Sequence, residues 1–238
     1  MQRRTSAERA VEGVACVWLA AGSGSRMDTP VNKAFLLLAG RAMVTRAIEA
    51  TLDLPDVAER ILVVAPHDMA AARERLSRDL PFAVRCVEGG SSRHESEWNA
   101  LCVLAPDIEA GRIDLVVIHD VARPLADGQL FSDVIQIARE HGGALPVQPA
   151  PALVFVEEAA VAAAEYELVA VQTPQAFRAR PLLDAYRKAA KVGFVGTDTA
   201  SCVERFSDLP VRCVPGRDAN IKITYADDLA SAQRLLAG

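Results

Sequence analysis

The sequence predicts a doubly wound α/β fold built on a mostly parallel sheet. Two observations carry that expectation. Short apolar segments, several too uniform to expose a face, alternate with amphipathic segments along most of the chain. The composition is also aliphatic, with 51% apolar residues but only 5% aromatic ones, which suits buried parallel strands and the helices that cover them. Repeated strand, helix, strand implies parallel neighbours, because such neighbours need a crossover and the crossover is usually a helix. With 238 residues the chain is long enough for a substantial core. No linker rich in Gly, Pro or Ser divides it and no repeat recurs, so one domain over 1–238 is expected.

In chain order, residues 14–20 (VACVWLA) read as the first strand. Residues 43–53 have helical spacing, with Thr45, Ile48 and Leu52 placed to form one inward stripe. Strands follow at 60–65, 83–87, 114–119 and 143–147, and helices at 68–79, 94–104 and 127–141. The segment from Gln148 to Gln172 breaks the rhythm. Prolines crowd its start and two apolar stretches flank "EEAAVAAAEYE", which describes either an extended hairpin arm or a helix; propensity favours helix for the alanines.

Charge and cysteine usage exclude several classes. A net charge of −5 repels a polyanion backbone, so no nucleic-acid partner is expected. Five cysteines, an odd number without any C-x-x-C pair, indicate neither a disulfide framework nor a structural zinc site, and point to a reducing compartment. The N-terminal segment lacks the apolar stretch of a signal peptide, and no apolar run reaches membrane-spanning length. A cytoplasmic protein is expected, off the membrane, with a frayed first ten residues or so.

The richest stretch is "VWLAAGSGSRMDTPVNKAF", Val17 to Phe35, where the first strand ends. Ligands of open α/β sheets bind beyond the carboxyl ends of strands. Gly22 and Gly24 permit backbone angles that aim successive N–H groups at one anion, and Arg26 and Lys33 add cations for phosphate charge. The spacing is neither a Walker loop nor a complete G-x-G-x-x-G, since Met27 stands at the third glycine. By itself it equally describes a strand-to-helix turn with solvated charges. Further on, "VVIHDVARP" brings Asp120 out of an apolar strand, where a bare carboxylate is costly, so it wants a cation; a salt bridge to Arg123 is one solution.

Taken together, these residues resemble a known family. "LAAGSGSRM" with "NK", "EGGSSRHESEWNAL", "VVIHDVARP" and "PGRDANIKIT", with "QTPQAF" and "GTDTAS", run in the order found in the methylerythritol phosphate cytidylyltransferases, from residue 17 to 229. The resemblance implies transfer of CMP from CTP to a polyol phosphate, releasing pyrophosphate, with 2-C-methyl-D-erythritol 4-phosphate as default acceptor. It implies that Arg26, Lys33 and Lys222 are catalytic cations. It implies a nucleotide site formed by Ala20, Ala21, Gly22 and Gly24 together with Gly90, Arg93, Ser96 and Asp120. It implies Mg²⁺ on Asp120, an acceptor side including Arg123 and Thr173, and a homodimer exchanging the 148–172 arm. Cytosine is told from uracil by its amine donor, which suits the backbone and Ser96 hydroxyl of "GGSSRHES". His94 is expected at the surface.

The pattern departs on the acceptor side. The family's acceptor-binding threonine and arginine are replaced by Ala150 and Glu165, and no Lys or Arg lies between Arg139 and Arg178. That removes about two charge-assisted hydrogen bonds of roughly 1.5–3 kcal/mol each. Asn32 stands for the proline before the lysine, and Glu97 for the valine after the serine; both changes are expected to be tolerated. Two alternatives follow: a cytidylyltransferase for another acceptor, or a nucleotide-binding relative without transfer.

Overall fold

The computed structural model describes residues 13–22, 32–150, 155–157, 160–162 and 168–237. Strand β1 (Val14–Ala20) is the first element among the described residues, where the sequence predicts a strand. A one-turn helix over Lys33–Phe35 leads to a small hairpin, β2 (Leu37–Leu38) with β3 (Arg41–Ala42), and to α1 (Met43–Glu49). Then come β4 (Val57–Val64), α2 (Met69–Asp79), β5 (Arg85–Glu88), α3 (Arg93–Glu109), β6 (Leu115–Asp120), α4 (Gly128–His141) and β7 (Gly143–Pro149). The chain continues through β8 (Phe155–Glu157), β9 (Ala160–Ala162), β10 (Val169–Val171), β11 (Gln175–Arg178), α5 (Ala179–Val192), α6 (Thr199–Phe206), β12 (Val211–Pro215) and α7 (Ala226–Ala237).

Eight strands form the central sheet in the order β10-β7-β11-β6-β1-β4-β5, with β12 also paired to β7. β6, β1, β4 and β5 are mutually parallel and β12 runs parallel to β7, while β11 and β10 pair antiparallel. The sheet is therefore mixed and mostly parallel. Period-two alternation sends Cys16, Trp18 and Ala20 to one face, where α1, α2, α4 and α7 cover them. Ala15 and Val17 go to the other, against α3, α5 and α6. Both faces being covered explains the continuous apolar text of β1 and β6. Trp18, fully buried, satisfies its indole by donating to Ala47 O at 3.1 Å.

Two expectations are corrected. α1 stops at Glu49, with Thr45 and Ile48 inside but Leu52 41% exposed; the chain turns after Ala50, where the Thr51 hydroxyl donates to Ile48 O. The helix that propensity favours among the alanines is not formed at Ala160–Ala162, which pair antiparallel with Phe155–Glu157. The legs of this arm pair too, Val169 with Pro149 and Val171 with Val147. Cross-strand hydrogen bonds satisfy the backbone there and outweigh a propensity difference of a few tenths of a kcal/mol per residue.

Candidate active site

β1 has β4 on one side and β6 on the other, so the direction of winding reverses between β1 and β6, and a crevice opens beyond their carboxyl ends. Leu19 lies opposite Asp120 in this register. A cavity of about 490 Å³ occupies the crevice. Its walls are the end of β1 (Leu19 to Gly22), the turn Asn32 to Ala34, the loop Gly90 to Arg93 with Ser96, the end of β6 (Asp120 to Ala122) and Lys222. Nine predicted residues thus line one space: Ala20, Ala21, Gly22, Lys33, Gly90, Arg93, Ser96, Asp120 and Lys222. Gly24 and Arg26 lie outside the described residues, as does Glu165 of the arm.

Asp120 is the electrostatic centre. Its Oδ1 accepts from Arg93 Nε and Nη2 at 3.3 and 3.2 Å, and its Oδ2 from Lys222 Nζ at 2.8 Å. Burial works to raise this carboxyl, but Arg93 and then Lys222 outweigh it and hold it well below the usual carboxylate range. The salt bridge to Arg123 is not formed. The Arg123 guanidinium donates instead to Asn220 O at 2.8 Å and Val171 O at 3.2 Å, tying the foot of the arm to the segment that carries Lys222. Thr173 is buried behind the cavity, its hydroxyl accepting from Asp120 N at 3.0 Å. Neither Arg123 nor Thr173 lines the cavity; both brace its floor.

His119 continues this brace. Its Nδ1 lies 3.1 Å from Thr173 Oγ1 and its Nε2 3.1 Å from Arg123 O. Because the Thr173 oxygen already accepts from Asp120 N, its proton goes to Nδ1, and Nε2–H donates to the carbonyl. Burial, opposed by Asp120, lowers the His119 pKa to about 4, so the ring is neutral. An unfolded His takes up its proton near pH 6.5, the folded one only near 4, so stability falls as pH drops between those values, by about 3 kcal/mol for this group. In His119→Gln, urea unfolding at pH 7.5 and 4.5 is expected to lose that part of the slope; an unaltered slope would refute the assignment.

The loop before α3 is shaped by close approach. A Cβ on Gly89 would sit 2.3 Å from Ala21 Cβ, and one on Gly90 2.2 Å from Glu95 Cγ, so both walls come together only because side chains are absent. Ser92 caps α3 by accepting from Glu95 N at 3.0 Å. Ser96 Oγ accepts from Gly90 N at 3.1 Å and donates to Ser92 O at 2.9 Å, folding the loop back over its own helix. The helix N-terminus faces the cavity, a setting that favours an anion. On the opposite wall Asn32 donates to Ala20 O at 3.0 Å and Asp68 Oδ2 at 2.7 Å while accepting from Ala34 N, and so fixes the turn bearing Lys33. Lys33 Nζ reaches Ile223 O at 3.2 Å.

Sequence reasoning placed His94 at the surface, and the structure corrects this. The ring is 7% exposed and stacks on Tyr186 with centroids 4.6 Å apart, with Phe194 against its edge. It lies on the inward face of α3, where a neutral imidazole packs as an aromatic; burial and then Arg93 lower its pKa. Reasoning from motifs also passed over Asn220, whose amide donates to Gln172 Oε1 at 3.2 Å and Thr173 O at 2.9 Å and so orients the Lys222 segment. An asparagine two residues before a lysine carries no signal of such a contact.

As for metals, Asp120 is the only carboxylate among the described residues that lines the cavity, and no group of three or more His, Cys, Asp or Glu that could hold a metal ion occurs among them. A lone ionised carboxylate on the wall of this cavity suits Mg²⁺, which is commonly held by one or two carboxylates plus substrate phosphates.

Lysine and arginine side chains gathered round one carboxylate beyond the strand ends suit the handling of nucleotide phosphates, the work of a nucleotidyltransferase. The comparisons narrow that class: the family model "IspD: 2-C-methyl-D-erythritol 4-phosphate cytidylyltransferase" matches residues 14–238, and the chain belongs to this family. A relative of that name from Solibacter usitatus is 38% identical, covering 94% of this chain and 95% of its own length. One from Symbiobacterium thermophilum is 38% identical over 91% of this chain and 90% of its own. The crystal structure of 4-diphosphocytidyl-2C-methyl-D-erythritolsynthase from Anaerococcus prevotii superposes with a TM-score of 0.83 at 26% identity, covering 96% of this chain and 97% of that one. That of the Thermus thermophilus cytidylyltransferase gives 0.70 at 30% identity, covering 93% and 98%.

Proposed function

We propose that this chain transfers CMP from CTP to the phosphate of 2-C-methyl-D-erythritol 4-phosphate, releasing pyrophosphate and forming a CDP-alcohol; relatives named 2-C-methyl-D-erythritol 4-phosphate cytidylyltransferase support the reading. The observation that carries the reading is the meeting of Lys33, Arg93, Asp120 and Lys222 in one cavity at the sheet's switch point. Transfer at the α-phosphorus asks little covalent chemistry of a protein. It needs two phosphate-bearing reactants held in line and their growing negative charge neutralised.

Lys33, whose Nζ reaches the carbonyl next to Lys222, and Lys222 itself supply that charge, with Arg26 from the segment between β1 and Lys33. Ala20 to Gly24, Gly90 and Ser96 hold the nucleotide, and Arg93 holds Asp120 in place. Asp120 would hold Mg²⁺, which would supply Lewis-acid stabilisation of the developing charge. Arg123 and Thr173 support the acceptor side through Asn220 and Asp120. A homodimer joined through the arm and a cytoplasmic setting belong to the same reading; five unpaired cysteines and the lack, among the described residues, of any helix able to cross a membrane are in keeping with it.

A second reading, transfer to a different polyol phosphate, is favoured by Ala150 and Glu165, which offer an acceptor phosphate neither hydroxyl nor cation. CTP-dependent pyrophosphate release across a panel of polyol phosphates separates the two. Turnover confined to methylerythritol phosphate supports the first reading, and turnover confined to another acceptor the second. CTP binding without release for any acceptor would leave a binding protein.

The close approach of the walls gives a further expectation. Gly89→Ala drives a methyl group against Ala21 and Ser96, 2.3 Å from the Ala21 Cβ, so the crevice must part for it to fit. KM for CTP is expected to rise about tenfold with kcat less affected, and an unchanged KM in a folded variant would show that this wall does not touch the nucleotide.

A further inference from the structure

Glu97 is a buried acid to which the proposed chemistry gives no part. Its side chain is 1% exposed, one turn into α3, and it draws donors from three helices. Arg93 Nη1 donates to Oε1 from the same helix, Thr199 Oγ1 donates to the same oxygen at 2.5 Å from the start of α6, and the Tyr186 hydroxyl donates to Oε2 from α5. The carboxylate thus has every strong donor it needs within the protein. Burial raises its pKa, against the pull of Arg93 and the two hydroxyls.

Arg93 has a carboxylate on each edge. Nη1 faces Glu97 inside, and Nε with Nη2 face Asp120 at the cavity. Asp120 in turn holds Lys222. Charges therefore alternate from the interior to the cleft in the order Glu97, Arg93, Asp120, Lys222. A guanidinium held from both edges has its orientation fixed, here by one bond from Nη1 to Glu97 and two from Nε and Nη2 to Asp120 Oδ1, and its charge is already balanced from within. Asp120 then need not act as its sole counter-ion and keeps its second oxygen for the cleft.

We propose that Glu97 is a positioning residue for nucleotide binding, acting through Arg93: it anchors the buried edge of the guanidinium and so sets how Arg93 and Asp120 present themselves to the nucleotide. The inference rests on the reading of the cavity as a CTP site. A glutamine at 97 keeps the shape but offers one acceptor oxygen to three donors, and its NH₂ faces them unfavourably. Arg93 then loses the counter-charge on its inner edge and leans on Asp120 as its one carboxylate partner.

The experiment is calorimetric binding of CTP to the full chain for wild type, Glu97→Gln, Arg93→Ala and the double variant, with thermal melts of each. Wild type is measured first; no CTP binding there would refute the nucleotide-site reading itself, separately from the part assigned to Glu97. Glu97→Gln is expected to weaken CTP about tenfold, with KM for CTP rising in parallel and kcat within threefold, and to add nothing in the Arg93→Ala background. A purely structural role would lower the melting temperature and leave the CTP Kd of the folded variant within twofold; that result overturns the proposal. Should Glu97→Gln not fold, Tyr186→Phe removes one donor that holds the carboxylate in register. CTP is then expected to bind about threefold more weakly, and an unchanged Kd in this folded variant refutes the proposal equally.

Discussion

Lys222→Ala is expected to lower kcat for pyrophosphate release by about 10²–10³-fold, with CTP affinity falling by less than tenfold. The geometry divides the effect this way. The Lys222 side chain is 44% exposed and its partner is Asp120 Oδ2, so removing it leaves no buried cation behind, and Asp120 keeps Arg93. The cost to folding is that of a half-exposed ion pair, about 0–1 kcal/mol. What disappears is an ammonium held on Asp120 at the edge of the cavity. A preorganised cation acts chiefly on charge that develops during transfer and much less on the ground-state triphosphate, which on the proposed reading Lys33 and the loop backbone still hold. Steady-state kinetics with varied CTP, paired with a thermal melt, checks this; a kcat within threefold of wild type in a folded variant would remove Lys222 from the reaction.

Asp120→Asn is expected to be the more damaging substitution, with kcat/KM lower by about 10³-fold. Its carboxylate is only 12% exposed, stays ionised across any practical pH because Arg93 and Lys222 outweigh the effect of burial, and is the single acid among the described residues that faces the cavity. The amide removes the charge that a divalent cation would use and unfastens Lys222 in the same step. Breaking a buried pair usually destabilises by about 3–5 kcal/mol. Here the loss is expected to be nearer about 1–2 kcal/mol, because Arg93 retains Glu97 and Lys222 turns to water. Activity should therefore fall far more than stability does. Raising Mg²⁺ should recover part of the rate if the carboxylate is the metal's anchor, and a melting temperature that collapses together with activity would instead make Asp120 a structural residue. The linkage is that of a depressed acid: its contribution to stability is present above the unfolded value near pH 4 and is lost only as pH falls toward the lower folded value.

Much of the nucleotide half was legible before any coordinates. β1, β4, β5, β6 and β7 overlap the strands read from apolar runs, because residues buried on both faces leave uninterrupted aliphatic text. Resemblance to the family's motifs picked out Lys33, Gly90, Arg93, Ser96, Asp120 and Lys222, and the fold brings all six to one cavity. Misreadings arose where a partner far along the chain decides. His94 looks like a polar loop residue until α5 brings Tyr186 beneath it, and the alanines at 160–162 look helical until Phe155–Glu157 pair with them. Glu97 looked like a neutral replacement for valine, yet it lies at the meeting of α3, α5 and α6 with a donor from each.

The chain's own text, through local periodicity and the order of short motifs, determines the winding of the sheet, the strand end from which the site opens, and the kind of charge that gathers there. These are properties of neighbours within a few residues, where spacing alone dictates which side chains share a face. Tertiary structure decides which anion each cation meets. Asp120 turns to Arg93 and Lys222, 27 and 102 residues away, and not to Arg123 three residues on, whose guanidinium satisfies Asn220 and Val171 carbonyls instead. The reason is geometric: a strand end points its carboxylate into the crevice, while the turn after it carries Arg123 under the floor, and only packed distance, which sequence separation does not encode, selects among buried charges.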